Sequence, residues 1–249
     1  MYLKRNLIDL SLKEAKESRE LSTEIGYLDG KVEAEILYNK ILLGDGILKE
    51  VEKNMEYLLG FSINNNLNKD LGNIYNKMGL VKYFEGNIEE AILNYENSII
   101  HFNKVGKFID STKPMNNTAN IYVQSYGDKK KAMEYYEEGL KIIEKYGVLN
   151  TQLIFLNNIG EIYIDLCDYE KAKDYIEKAR IISTDVEDVN MIFLTNINLG
   201  LIYLLTGDYD QSYNCYTMLK DNYSKNQGYN LEITSQYYNY LGEFYSTFG

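Results

Sequence analysis

Apolar positions along this chain fall at helical spacing in block after block, and short polar breaks separate the blocks. Four stretches show the pattern most clearly. They are NIYNKMGLVKYFEGNIEEAILNYENSI from Asn73, PMNNTANIYVQSYGDKKKAMEYYEEGL from Pro114, IFLNNIGEIYIDLCDYEKAKDYIEKAR from Ile154 and LTNINLGLIYLLTGDYDQSYNCYTMLK from Leu194. Each reads as a helix, a turn and a second helix. The turns are Glu85-Gly86-Asn87, Tyr126-Gly127-Asp128, Leu166-Cys167-Asp168 and Thr206-Gly207-Asp208. A small residue follows each turn at one offset: Ala91, Ala132, Ala172 and Ser212, at spacings of 41, 40 and 40.

A second feature keeps the same period. Helices commonly end on a residue that tolerates the left-handed conformation, usually Gly and sometimes Asn. Gly26, Asn66, Gly106, Gly147 and Gly228 stand at such places, with Glu187 filling the remaining one, in steps of 40, 40, 41, 40 and 41. The frame extends outward. Val51 lies forty residues before Ala91 and Ser11 forty before Val51, while Leu241-Gly242-Glu243-Phe244-Tyr245 matches Ile159-Gly160-Glu161-Ile162-Tyr163. The pattern therefore predicts about twelve antiparallel helices. They form a half repeat over 1–25, hairpins over 30–66, 70–106, 114–147, 152–187 and 192–228, and a half repeat over 231–249, all one array.

A hairpin of this size cannot bury its own apolar face, so it must stack on its neighbours. Close helix crossings need small residues. Gly79, Gly160, Gly200 and Gly242 are expected to supply them on first helices, against Ala91, Ala172 or Ser212 on second helices. Tyr163, Tyr203 and Tyr245, with Tyr95, Tyr136 and Tyr216, are expected to fill the space between hairpins, with Tyr83 one place late in the frame.

Composition narrows the class. Of 249 residues, 45% are hydrophobic and 25% charged, which is a globular balance, and a single Pro favours long uninterrupted helices. A net charge of −11 argues against a nucleic-acid backbone or an anionic membrane surface as partner. One His and two Cys leave little material for a metal site or a catalytic triad. Cys167 and Cys215 read as free thiols, and no secretory leader or membrane span is seen, so a cytoplasmic protein is expected. No phosphate-binding glycine loop, dinucleotide fingerprint or HExxH motif occurs. Glu89-Glu90 and Glu137-Glu138 read as solvated second-helix charges, Asp208 as a helix cap, His101 as a helix-end residue, and Pro114 as a first-turn proline. The expectation is a protein that is not an enzyme and holds no cofactor and no metal.

Asn158-Ile159-Gly160-Glu161-Ile162-Tyr163, then Asp168-Tyr169-Glu170-Lys171-Ala172 and Ala179, resemble the tetratricopeptide repeat (TPR) family. The frame recurs as Asn198-Leu199-Gly200 through Tyr203 and Gly207-Asp208-Tyr209. It is weakest before Asp70, where Asn39 replaces the first-helix glycine, and Asn120 makes the same departure. The repeat is longer than the 34 residues usual for the family and closer to HEAT and armadillo lengths of ~40–47, but the Gly/Tyr/Ala pattern and Gly-Asp turns favour the TPR reading. Forty-residue repeats of this kind resemble those of bacterial signalling and regulatory proteins. The resemblance implies an all-α, right-handed α-α superhelix, a TPR solenoid, whose inner groove is lined by the first helices.

On that frame the peptide-binding groove includes Asn76, Leu80, Asn117, Ile121, Gln124, Asn157, Glu161, Ile197, Leu201 and Asn239. Asn76, Asn117 and Asn157 occupy equivalent places, 41 and 40 apart; Asn239 lies 82 further on, with Ile197 between. A carboxamide column offers donors and acceptors to an extended peptide backbone, and related TPR proteins use such a ladder. The chain is rich in Asn throughout, so members of the column that are solvated or bonded to the next helix are the competing reading. The set Leu194, Ile197, Leu201, Leu204 and Leu205 makes one first helix apolar almost all round, which means tight packing or a pocket for an apolar side chain.

Both ends of the array are expected to be open, with Tyr237, Leu241, Tyr245 and Phe248 unpartnered, as in a fragment of a longer protein. The function expected is a non-enzymatic scaffold that binds a peptide or protein segment, serving as the sensing or docking part of a bacterial signalling protein. The alternative is a structural module that pairs with other copies, as a homodimer, through its open ends.

Overall fold

The computed structural model describes residues 2–225 and 231–248, so Gly228, expected as a helix stop, lies outside the described residues. Among the described residues the fold is all-α, with twelve α-helices and no strand. They are α1 (Tyr2–Glu24), α2 (Leu28–Gly44), α3 (Leu48–Asn64), α4 (Leu71–Phe84), α5 (Ile88–Lys104), α6 (Phe108–Ile121), α7 (Lys129–Tyr146), α8 (Leu149–Asp165), α9 (Tyr169–Asp185), α10 (Val189–Leu205), α11 (Tyr209–Lys225) and α12 (Leu231–Phe248). Where the sequence reads as one array, contacts group the chain into two compact units, 1–135 and 136–249. In the first unit α1 to α6 pack in succession, and first helices α2, α4 and α6 also touch their like neighbours. In the second unit α8 to α11 pack in succession, with further contacts of α10 on α8 and on α12.

The turns explain the regularity. Backbone φ is positive at Gly26, Gly46, Asn66, Gly86, Gly106, Gly127, Gly147, Cys167, Glu187 and Gly207, a left-handed residue every twenty or twenty-one positions. After nine of these ten residues the next backbone N–H reaches back to the carbonyl five places earlier, as in Lys107 to Phe102 (2.9 Å), Asp168 to Tyr163 (3.0 Å) and Asp208 to Tyr203 (2.9 Å). The residue that closes one helix then opens the next. Asp128 Oδ1 accepts from the Lys131 N–H at 2.9 Å, and Asp188 Oδ1 from the Met191 N–H at 3.0 Å. One step of twenty-one has a local cause. Tyr122–Tyr126 form a π turn at the end of α6, which absorbs one extra residue, and the Asp128 N–H reaches six places back, to Tyr122.

Three of these left-handed residues are not glycine. Asn66 suits the conformation; Cys167 and Glu187 carry a Cβ at a cost of roughly 1 kcal/mol. Glu187 is exposed. Glu187→Gly is expected to stabilise the protein by about 0.5–1 kcal/mol, part of the relieved strain being offset by a more flexible unfolded chain. A melting temperature that falls would show that the side chain does more than occupy the turn.

Pro114 departs from the expected first-turn position. Helix α6 begins at Phe108, so Pro114 lies buried inside it, removing one helix donor and pressing its ring on the Asp110 carbonyl. In the turn before it, the Ser111 and Thr112 hydroxyls donate to the carbonyls of Phe108 (2.6 Å) and Ile109 (2.7 Å).

The glycines do mark close approaches, but mostly to side chains other than the small ones expected. A Cβ on Gly79 would lie 2.6 Å from the buried Tyr95 ring rather than against Ala91, and one on Gly160 would lie 2.4 Å from Ile176, with the Ala172 carbonyl 3.4 Å away. At Gly200 the neighbour is Tyr240, at 2.7 Å, while Ser212 Oγ donates to the Gly200 carbonyl at 3.0 Å. Gly242 meets nothing within 4 Å. In the first repeat Asn39 takes the glycine's place, fully buried. There its Nδ2 donates to the Glu35 carbonyl and its Oδ1 accepts from Asn54 Nδ2 on α3 at 3.0 Å. Tyr95, Tyr136 and Tyr216 are buried, while Tyr163 and Tyr203 pack partly buried on Ala172, Ile176, Leu199 and Ile202. Tyr245 is 53% exposed.

Candidate functional site

First helices carry the candidate residues, and their apolar stripes fix which side chains remain near the surface. On α4, Ile74 and Val81 are buried, Leu80 is half-buried, and Asn76 is 7% exposed. On α6, Ile121 is buried and Asn117 half-buried, and Gln124, in the π turn that follows, is exposed. Asn117 Nδ2 donates to Asn76 Oδ1 at 3.3 Å, so in the first unit the two asparagines are joined across neighbouring first helices. Further along, the Tyr83 hydroxyl at the end of α4 donates to Gln124 Oε1 in the π turn after α6 at 3.0 Å.

The second unit repeats the device more deeply. Asn157 on α8 is 2% exposed. Its Nδ2 donates to Glu161 Oε1 at 2.9 Å, and its Oδ1 accepts from Asn198 Nδ2 on α10 at 3.0 Å. Asn198 Nδ2 also lies 3.1 Å from Glu161 Oε1. Two carboxamides thus hold one carboxylate on the first-helix side. Asn198 is a residue the forty-residue frame passes over, because the frame points to Ile197. Its signal is a spacing of 41 from Asn157, the same step that separates Asn76 from Asn117. Asn239 on α12 is exposed and lies a further 41 residues on.

The apolar set on α10 is built into packing. Ile197 (3% exposed) and Leu204 lie in one cluster with Tyr216, Tyr237, Tyr240 and Phe244, and Leu201 packs against it half-buried. Leu205 is exposed. The Tyr216 and Phe244 rings stack at 4.5 Å. His101 stacks on Tyr75 at 5.2 Å, and burial, with Lys104 beside it, pulls its imidazole below the usual value, so the ring is neutral at pH 7. Cys167 and Cys215 are free thiols; burial pushes the Cys215 thiol up to about 11.

Lysines on and beside α4 and α6 form ion pairs. Lys69 reaches Glu33 (3.1 Å) and Asp29 (3.4 Å), Lys113 reaches Asp110 (2.9 Å), and Lys82 lies among Glu52, Glu85 and Glu90. Its carboxylate neighbours raise the Lys82 ammonium well above the ordinary lysine value. No helix among the described residues is long and apolar enough to cross a membrane.

Helix hairpins stacked through glycine-aromatic crossings, with polar pairs joining successive first helices, define a class: a helical-repeat scaffold of the tetratricopeptide type, built for protein interaction. Residues 63–231, well over half of the chain, match the family described as soluble NSF attachment protein (SNAP), and the chain belongs to that family. Its fold is similar to that of BtubC (BKLC) from P. vanneervenii, at 20% identity over 90% of this chain and 93% of that one, with a TM-score of 0.76. It is similar to a STAND signal transduction ATPase with a tetratricopeptide repeat sensor from Pyrococcus horikoshii, at 18% identity over 98% of this chain and 40% of that one, TM-score 0.71. A Rap protein complexed with Competence and Sporulation Factor is also similar, at 13% identity over 98% of this chain and 71% of that one, TM-score 0.67. The outer dynein arm-docking complex subunit 4 of Danio rerio is 25% identical over 123 residues, 49% of this chain, and this chain spans about a quarter (24%) of that relative's length.

Proposed function

We propose that this chain binds an extended peptide or protein segment along its first-helix faces, as the sensing or docking part of a cytoplasmic bacterial signalling protein. The observation that carries the reading is the recurrence of asparagine at one place on successive first helices, paired across helices within each unit. A carboxamide has two N–H donors and two acceptor lone pairs. Asn117 spends one N–H on Asn76 and keeps its carbonyl oxygen and second N–H for a ligand. Asn239 is exposed. The buried partners Asn76 and Asn157 hold the row in register, as a support for the accessible members. A Rap protein complexed with Competence and Sporulation Factor and a tetratricopeptide sensor, both similar in fold, support the reading.

The test is capture of extended peptides from an array by the native chain and by Asn117→Ala and Asn239→Ala. Each substitution is expected to weaken binding by about 1 kcal/mol, roughly fivefold, and to leave the melting temperature nearly unchanged. An array that retains nothing, or retains the variants as well as the native chain, overturns the reading.

A second reading, assembly between copies, has one specific observation in its favour. Gly79, Gly160 and Gly200 each seat a bulky side chain, whereas Gly242 meets nothing, with exposed Tyr238 and Tyr245 on either side of it. Sedimentation that shows a single species at every concentration removes this reading.

A further inference from the structure

Among the described residues Asp70 is the one acidic side chain buried in the fold, at 3% exposure. It ends the short helical turn Asn68–Asp70 between α3 and α4 and stands at the N-cap of α4. At that place on α9 and α10, Asp168 and Asp188 each accept the N–H three residues on, at 3.3 and 3.0 Å. The Asp70 side chain caps nothing, and its Oδ2 is enclosed without a hydrogen-bond partner. Two ammonium groups are near, and both are engaged elsewhere. Lys69 Nζ pairs with Glu33 (3.1 Å) and Asp29 (3.4 Å) of α2. Lys107 Nζ, from the turn before α6, donates to the Lys69 carbonyl oxygen at 3.2 Å.

The joint around Asp70 is closely packed. The Leu67 N–H donates to the Ser62 carbonyl of α3 at 2.8 Å, Gly72 at the start of α4 lies against the buried Phe102 ring of α5, and Ser98 Oγ of α5 donates to the Gly72 carbonyl at 2.6 Å. Ser62, Ser98 and Phe102 bring no charge. The charged groups that act on the carboxyl are Lys107, Lys69, Glu33 and Asp29. An enclosed carboxylate without a hydrogen bond is costly, and the neutral acid far less so. Burial, the largest influence here, acts with Glu33 and Asp29 and outweighs Lys107 and Lys69, so the carboxyl is held above its ordinary range.

We propose that the α3–α4 joint is a proton-operated latch: uptake of a proton by Asp70 tightens the start of α4, and its release loosens it. The latch stands whether or not the first-helix faces bind a segment. The helix it steadies carries Asn76 and Leu80. Its direction is fixed. The folded carboxyl holds its proton more firmly than the unfolded one, whose value is about 4. The joint therefore gains stability as pH falls and loses it as pH rises through the folded value.

The full chain and its Asp70→Asn variant, an uncharged isostere, are melted between about pH 7.5 and about pH 4.5 at constant ionic strength. At the neutral end the variant is expected to melt about 2–4 °C above the native protein, and the gap is expected to close toward the acidic end. His101, stacked on Tyr75 further along α4 with Lys104 beside it, titrates alike in both proteins and cancels. Hydrogen exchange, corrected for intrinsic amide rates, gives a local readout. Amides of residues 71–75 are expected to gain about fivefold protection on acidification in the native protein and none in the variant. The first turn of α9, where Lys171 holds the Asp168 carboxyl below the ordinary range, changes in neither. A gap that keeps its size, a gap that widens on acidification, or a variant that melts below the native protein at the neutral end overturns the proposal. Lys107→Met removes an ammonium that favours the ionised form, so the midpoint of the exchange change at residues 71–75 is expected at higher pH. A midpoint that does not move overturns the latch as well.

Discussion

Gly79→Ala is expected to destabilise the native protein by about 1–3 kcal/mol and to stabilise a Tyr95→Ala variant by about 1 kcal/mol. The reversal follows from what Gly79 meets. A Cβ there lies 2.6 Å from two carbons of the Tyr95 ring, which is 1% exposed and cannot turn away into solvent. With the ring present, the added methyl overpacks the crossing of α4 and α5. Without the ring the clash is gone, and the intrinsic preference of a helix for Ala over Gly, about 1 kcal/mol, is left. Tyr95→Ala alone is expected to cost about 3–5 kcal/mol as a large side-chain truncation in a core. Denaturant titration of the native protein, both single variants and the double variant closes the cycle. A Gly79→Ala effect of one sign and size in both backgrounds would mean that the ring does not set the need for glycine.

Asn157→Ala is expected to lower stability by about 2–3 kcal/mol, whereas Asn239→Ala changes it by less than about 0.5 kcal/mol. The two asparagines hold equivalent places in the sequence, so the difference is structural. The Asn157 carboxamide is 2% exposed and serves two partners, donating to Glu161 and accepting from Asn198. Its removal leaves a carboxylate short of a donor and a carboxamide short of an acceptor, both on the packed side of α8 and α10. Asn239 is exposed. On sequence grounds Asn157 reads as a ligand contact with little bearing on stability; its burial predicts the opposite ranking. Thermal melts of the two variants decide it, and equal melting temperatures would mean that the Asn157 network contributes nothing.

The parts of this fold that local chemistry controls are legible in the sequence. Gly26, Asn66, Gly106, Gly147 and even Glu187 mark helix ends because a left-handed residue is a requirement of the turn itself, and the turn recurs at a countable interval. Packing partners are less legible. Gly79 is visible as a recurring glycine, but its partner depends on which residue of α5 comes opposite when the helices cross, and that residue is Tyr95, not Ala91. Asn198 is passed over for a similar reason: a rigid count selects Ile197, while the side chain that reaches Asn157 is the next one along. Pro114 misleads because a proline most often signals a first turn, whereas α6 accepts it in its interior.

The turns carry a consequence for how such a chain can change its length. At most of the described joints the residue that shuts one helix also starts the next, so these joints are interlocking, and α8, α9 and α10 are all 17 residues long between them. Duplication or loss of one hairpin leaves every remaining joint matched to its neighbour. Removal of a single helix with its turn would put a first-helix face where a second-helix face belongs, and a one-residue slip inside a helix would rotate everything beyond it by about 100°. Among the described residues, the π turn at Tyr122–Tyr126 takes up a single added residue at a helix end beside a glycine joint. A change of length that keeps this packing therefore comes in steps of two helices, with helix ends as its seams.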